Sequence, residues 1–136
     1  MKAYNLKTKD GVFNKVTVHL LTQWEVAQDQ KGRCTYRLDT PKDTLKCAVG
    51  CLIKDEYYNI NLEQAYCDAP LVREALRKSG VDLEETLDLL EKLQNIHDSF
   101  NKKRWPDLLE EVASDFSITI YSNTKDLLEK RKKQKE

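Results

Sequence analysis

Residues 82–100, with the sequence DLEETLDLLEKLQNIHDSF, carry the clearest helical pattern of the chain and decide its fold. Apolar side chains recur there every three or four residues and cover about half of the helix circumference. Asp82 is a suitable N-cap, and Glu85 follows it at the spacing of a capping box. His97 falls near the middle of the apolar face, and Asp98 falls at its edge. We therefore predict a long helix that buries one face, including His97, in the core.

A second amphipathic helix is predicted from Val12 to about Gln28, with Asp10 as its N-cap. His19 lies on its apolar arc as well. We expect this first helix to supply the surface against which the long helix packs. The apolar positions that recur along its face are Phe13, Val16, Leu20 and Trp24.

Between these two helices the pattern changes to the alternation that is typical of strands. Cys34, Tyr36 and Leu38 alternate with polar neighbours, and residues 39–43, DTPKD, predict a turn. Positions 45, 47 and 49 then form the returning strand of a small β-hairpin near residues 33–49. The apolar run 47–53, CAVGCLI, is too short for its periodicity to separate a strand from a buried helix, so both remain open.

The remaining pattern predicts short helices at 69–79 and from Trp105 to about Asp115, a short strand at 117–121, and a charged helix from Thr124. The fold class that follows is α+β, a mostly helical single domain with one small hairpin. We expect residues 1–9 to be a flexible N-terminus, residues 10–124 to be the globular domain, and residues 125–136 to be a charged helix or tail.

The overall composition excludes several classes of protein. The chain has 136 residues, and its 23 Lys and Arg balance 23 Asp and Glu, which argues against a general nucleic-acid binder. No apolar run approaches the roughly 20 residues that a membrane-spanning helix needs. The first residues, MKAYNLKTKDGVF, lack the apolar core of a signal peptide. We therefore expect a cytoplasmic protein without a membrane partner. The zero charge is a cancellation between an acidic segment, residues 82–98, and basic runs at residues 101–104 and in the tail.

Several short motifs occur in an order that resembles a family of small, uncharacterised proteins of tailed bacteriophages and bacterial genomes. They are VFNKVTVHLLTQ at residues 12–23, RCTYR at 33–37, LKCAVGCLIKDEYY at 45–58 and LQNIHD at 93–98. The family position after Ile53 is often proline, and here it is Lys54. The resemblance implies a phage-like accessory protein that acts in the host cytoplasm, and it implies no established activity.

The cysteines and histidines suggest a metal site as one alternative. In a reducing compartment the four cysteines, Cys34, Cys47, Cys51 and Cys67, are expected to be free thiols packed as small hydrophobic residues. Cys34, Cys47 and His97 nevertheless lie on faces directed to the core, where Cys51 or His19 could join them. Thiolate and imidazole are good zinc ligands, so zinc is the one cofactor that these residues suggest.

Polar and aromatic side chains around the hairpin suggest a binding site. Arg37 offers a planar fork for carboxylate or phosphate, and tyrosines offer rings with a polar tip. The alternative is an ordinary solvated hairpin with a surface ion pair. The predicted ligand-binding residues are Tyr36, Arg37, Asp55, Glu56, Tyr58, His97 and Asp98.

The expected function is that of an accessory protein that binds a host protein or a small host molecule without catalysis. The alternative is a small thiol- or metal-dependent hydrolase, in which Cys34 or Cys47, His97 and Asp98 supply a nucleophile, a base and an acid. However, His97 and Asp98 are sequence neighbours, and their side chains are expected to diverge by about 100° around the helix. No residue is therefore assigned a catalytic role, and the sequence does not indicate an oligomeric state.

Overall fold

The computed structural model describes residues 4–63, 65–66 and 68–134. Their regular structure comprises five α-helices, four short 3-10 helices and one two-stranded hairpin, which confirms a mostly helical α+β single domain. Cys67, residues 1–3 of the predicted N-terminus and residues 135–136 of the predicted tail lie outside the described residues. The helices are α1 (Lys9–Gln23), α2 (Pro70–Lys78), α3 (Leu83–Ser99), α4 (Trp105–Asp115) and α5 (Ser122–Lys132), and the strands are β1 (Arg37–Asp39) and β2 (Thr44–Lys46).

Helix α3 lies at the centre of the core, as its sequence pattern predicts. Asp82 caps it by accepting a hydrogen bond from the backbone N–H of Glu85. Leu89, Leu90 and Leu93 of its apolar face are fully buried, and so is His97. Helices α1 and α4 pack against α3, and α5 packs against α1 and α4. Within the described residues, no helix is both long enough and apolar enough to cross a bilayer.

Helix α1 begins earlier and ends earlier than predicted. Thr8, rather than Asp10, is its N-cap and accepts from the backbone N–H of Gly11. The helix ends at Gln23 instead of Gln28, because Trp24 takes a left-handed conformation with φ of 54°. Two distant cations stabilise this end by donating to its carbonyl groups. Lys102 Nζ lies 3.0 Å from the carbonyl oxygen of Trp24, and Arg131 Nε lies 2.9 Å from that of Leu21.

The hairpin is shorter than predicted, and the apolar run after it is neither a strand nor an α-helix. Only three residues of each strand pair, with Leu38 opposite Leu45. Residues 33–36 do not continue β1; the backbone N–H groups of Tyr36 and Arg37 donate instead to the carboxylate of Glu63. The 47–53 run forms a turn and a short 3-10 helix. Gly50 is required there, because a Cβ at this position would lie 2.1 Å from the carbonyl oxygen of Tyr36.

The strand predicted at 117–121 is absent from the described structure. Ser117 belongs to a turn and has a φ of 55°, and residues 118–121 have no regular structure. Asn14 of α1 takes the place of a strand partner for this segment. The Asn14 side-chain amide donates to the carbonyl of Thr119 and accepts from the backbone N–H of Tyr121, at 2.9 Å in both cases. A single buried side chain therefore satisfies backbone groups that would otherwise need a neighbouring strand.

Candidate functional site

The imidazole of His97 is fully buried at the C-terminal end of α3, and both of its nitrogens have a defined partner. Nε2 lies 3.0 Å from the backbone nitrogen of Ala27, which can only donate. Nε2 must therefore carry the lone pair, and the proton of a neutral ring must be on Nδ1. Nδ1 lies 2.7 Å from Oδ1 of Asp98 and donates to it. The ring also stacks on Trp105, with 5.8 Å between centroids.

The contact between His97 and Asp98 corrects the expectation that their side chains diverge. A helix position fixes only the direction of the Cα–Cβ bond, and both side chains turn from that direction towards each other. A second side chain, that of Gln94 one helix turn earlier, also binds Asp98. Its Nε2 donates to the same oxygen at 2.7 Å. The other end of the Gln94 amide accepts from the backbone N–H of Val49. The carboxylate of Asp98 is thus held by two neutral donors, His97 and Gln94. The backbone N–H groups of Ala27 and Val49 hold these two side chains in place.

Cys34 completes this group of polar side chains. Its sulfur, a ring nitrogen of His97 and a carboxylate oxygen of Asp98 lie within 4.8 Å of one another. Burial, together with the charge and hydrogen bonding of Asp98, raises the pKa of the Cys34 thiol to about 11. Burial also raises the pKa of Cys51 to about 12 and displaces the pKa of the fully buried Cys47 upward. All three described thiols are therefore protonated at neutral pH, which is the opposite of the activation that a thiol nucleophile needs.

A pocket of about 210 Å³ opens directly over this group. Among the described lining residues Asp98 alone is charged, and 30% of that side chain is exposed. The ring of Tyr36 is buried in the wall, where its hydroxyl donates to the carbonyl of Ala65. The described residues that line the pocket are Cys34, Thr35, Tyr36, Cys47, Ala65, Tyr66, Gln94 and Asp98.

The predicted metal ligands only partly converge, and their arrangement does not fit zinc. Cys34 and His97 come together, but Asp98 takes the third position in which Cys47 was expected. Cys47 lines the same pocket, and its sulfur accepts from the backbone N–H of Gly50. A metal on Nδ1 of His97 would move the ring proton to Nε2, where it would face the N–H of Ala27. Metal binding would therefore break both hydrogen bonds that hold the ring.

The predicted ligand-binding residues separate into two places. Tyr36, Asp98 and, beneath them, His97 belong to the pocket, whereas Arg37, Asp55 and Tyr58 form a separate cluster on the outer side of the hairpin. The Arg37 guanidinium stacks on the Tyr58 ring at 4.6 Å and donates to the carbonyl of Ile53 and the carboxylate of Asp55. The hydrogen bond and the charge of Arg37 lower the pKa of the exposed Asp55 carboxyl from its usual value. Glu56 is exposed and joins neither place.

Nη2 of Arg37 is thus occupied by partners within the chain, whereas its buried Nε has no hydrogen-bond partner among the described residues. The cluster connects the hairpin to residues 53–63. The Tyr58 hydroxyl donates to Glu63 at 2.5 Å. Burial and this carboxylate raise the pKa of Tyr58 to about 12. The same Glu63 receives the backbone N–H groups of residues 36 and 37. The cluster therefore positions Tyr36 in the pocket wall rather than presenting a free guanidinium to a ligand.

Sequence reasoning missed Gln94, Glu63 and the backbone N–H of Ala27. Gln94 could have been found, because it lies four residues before Asp98 and such pairs share one face of a helix. Glu63 and Ala27 act across 27 and 70 residues of sequence, respectively, and no local pattern marks them. Comparisons with protein-family models, with curated proteins and with solved structures return no match for this chain.

Proposed function

We propose that the protein binds a small molecule in the pocket above Asp98 and releases it unchanged. The observation that carries this proposal is a pocket of about 210 Å³ with a polar floor, formed by the carboxylate of Asp98 and the side chains of Gln94 and His97 that bind it. This floor is held in place before any ligand arrives. Gln94 and His97 fix the carboxylate, and backbone groups from two other segments fix those side chains in turn. A preorganised floor reduces the ordering that a ligand must impose, and this favours binding.

The same contacts argue against catalysis. A thiol hydrolase needs a thiolate and a base with a free lone pair. The Cys34 thiol has a pKa of about 11, and the only lone pair of neutral His97 accepts from Ala27. Asp98 lies beside Cys34 and stabilises the protonated thiol, so it opposes the transfer of a proton away from Cys34.

The size of the pocket favours a small molecule over a protein as the partner. Its volume is somewhat larger than that of a cavity of about 150 Å³ that accommodates benzene. The resemblance to small phage and bacterial proteins leads us to propose that the ligand is a small host molecule and that the protein acts in the host cytoplasm as a phage-like accessory protein.

A screen by two-dimensional NMR tests this proposal. The ¹⁵N-labelled protein is mixed with a library of small metabolites, and binding is read from the backbone amides of Thr35 and Ala65 and the side-chain amide of Gln94. We expect at least one compound to shift these signals and to be recovered unchanged by mass spectrometry. Ala65→Leu, which fills the pocket, should abolish the shifts. Thr22→Leu introduces the same side chain at an exposed position of α1 and should leave the shifts unchanged.

Two results would contradict the proposal. One is the absence of binding by every compound at millimolar concentration. The other is conversion of a bound compound into a product, which would identify an enzyme instead.

A further inference from the structure

The carboxylate in the pocket floor keeps an uncompensated negative charge. Within the described residues, the only ion-pair partner of Asp98 is His97. That ring is neutral, because its Nε2 accepts from a backbone N–H. Gln94 is neutral as well, and none of the described residues that line the pocket is a lysine or an arginine. The pocket therefore offers one full negative charge to whatever enters it.

The carboxylate also retains capacity for a further donor. Two oxygens offer about four lone-pair positions. Gln94 and His97 both donate to Oδ1. The Cys34 thiol is a third hydrogen-bond partner of the carboxylate. At least one position remains for a donor that reaches the floor through the pocket, where 30% of the Asp98 side chain is exposed.

The walls suit a cation that carries apolar carbon. Two aromatic residues, Tyr36 and Tyr66, line the pocket together with Ala65. Aromatic faces attract cations within about 6 Å of the ring centroid. At about 30 Å³ per water, the volume of about 210 Å³ equals roughly seven waters, which is the size of a small organic ion rather than a nucleotide.

We infer that the ligand is a small organic cation, a primary amine or a guanidinium compound, whose N–H groups donate to the carboxylate of Asp98. This inference rests on the proposed function, because it names the class of molecule that the pocket holds. The cation supplies the charge and the donor that the floor lacks, and its carbon atoms pack between Tyr36 and Ala65. An anionic carboxylate of the same shape supplies neither, and a neutral alcohol supplies a donor without the charge.

Three probes of similar size test the charge preference without any substitution. Benzylamine, benzyl alcohol and benzoate share one ring and differ in charge. By NMR titration at low ionic strength, we expect benzylamine to bind at the Thr35 and Gln94 signals at least about tenfold more tightly than benzyl alcohol, and benzoate to bind not at all. Putrescine and methylguanidine extend the test to cations without a ring.

A matched pair of substitutions on α3 tests the role of Asp98. Asp98→Asn keeps the shape and should weaken benzylamine binding at least about tenfold. Asp88→Asn makes the same chemical change at an exposed position of the same helix and should leave the affinity within about twofold. Because the three-probe comparison uses the unaltered protein, it decides the inference even if Asp98→Asn does not fold.

The outcomes separate this inference from the proposed function. If benzyl alcohol or benzoate binds in the pocket as tightly as benzylamine, or if only neutral library compounds bind, the charge preference is refuted and the binding function stands. If Asp98→Asn folds and retains full affinity for benzylamine, the inference is refuted in the same way. If no probe and no library compound binds, both are refuted.

Discussion

Replacing His97 with leucine should destabilise the protein, because His97 is the only described partner of a buried backbone donor. Leucine keeps much of the volume but leaves the N–H of Ala27, a fully buried residue, without its acceptor. An unsatisfied buried donor costs about 1–3 kcal/mol. Loss of the ring stack on Trp105 adds about 0.5–1.5 kcal/mol. We therefore expect His97→Leu to lower the free energy of unfolding by about 3 kcal/mol, measured by urea denaturation at pH 7.

His19→Leu provides the matched control, since it makes the same change at the other histidine. His19 Nε2 bonds the carbonyl of Lys46, and burial lowers the pKa of this ring, so that it too is neutral at pH 7. That carbonyl also accepts from the side chain of Gln23 at 2.9 Å, so it keeps a partner after the substitution. We expect a loss below about 1 kcal/mol. Equal losses at both positions, or a loss below about 0.5 kcal/mol for His97→Leu, would refute the reasoning.

Three further predictions follow from other contacts. Because the Cys34 thiol has a pKa of about 11, it should react with iodoacetamide at pH 7.5 far more slowly in the native than in the unfolded protein, and the native rate should rise as the pH approaches 11. Site-resolved mass spectrometry measures these rates, and rapid labelling of the native protein at pH 7.5 would contradict the prediction. Gly50→Ala should lower the free energy of unfolding in urea by at least about 1–3 kcal/mol, because the added Cβ meets the carbonyl of Tyr36; an unchanged midpoint would show that the segment adapts. Arg37→Gln should raise the pKa of the Asp55 carboxyl towards its usual value, since the guanidinium that stabilises the charged form is removed. A ¹³C NMR titration follows this change, and an unchanged titration would show that Arg37 is not the partner of Asp55 in solution.

The helices could be predicted from the sequence because their determinants are local. The long helix predicted at 82–100 is observed as Leu83–Ser99, and the cap at Asp82 is confirmed. The helix predicted from Trp105 to about Asp115 is confirmed with the same bounds. In both cases a cap or an early proline and a periodic apolar face lie within one segment, so neighbouring residues suffice to define the element.

The pocket could be predicted only in part, because distant residues build it. The core-facing position of His97 follows from periodicity. Cys34 lies near His97, but residues 33–36 do not form the strand from which its position was predicted. The tautomer of His97 depends on the N–H of Ala27, which is available to donate to Nε2 only because α1 ends at Gln23. That end depends in turn on Lys102 and Arg131, far along the chain. Contacts of this range leave no periodic pattern in the sequence.

The tautomer of His97 tests most directly the claim that neutral donors hold a charged carboxylate in the pocket floor. Long-range ¹H–¹⁵N correlation spectra of the ¹⁵N-labelled protein at neutral pH distinguish protonated from unprotonated ring nitrogens. We predict a proton on Nδ1, facing Asp98, and none on Nε2, facing the N–H of Ala27. A proton on Nε2, or on both nitrogens, would contradict the account, because the floor would then hold a different hydrogen-bond network or an already neutralised carboxylate.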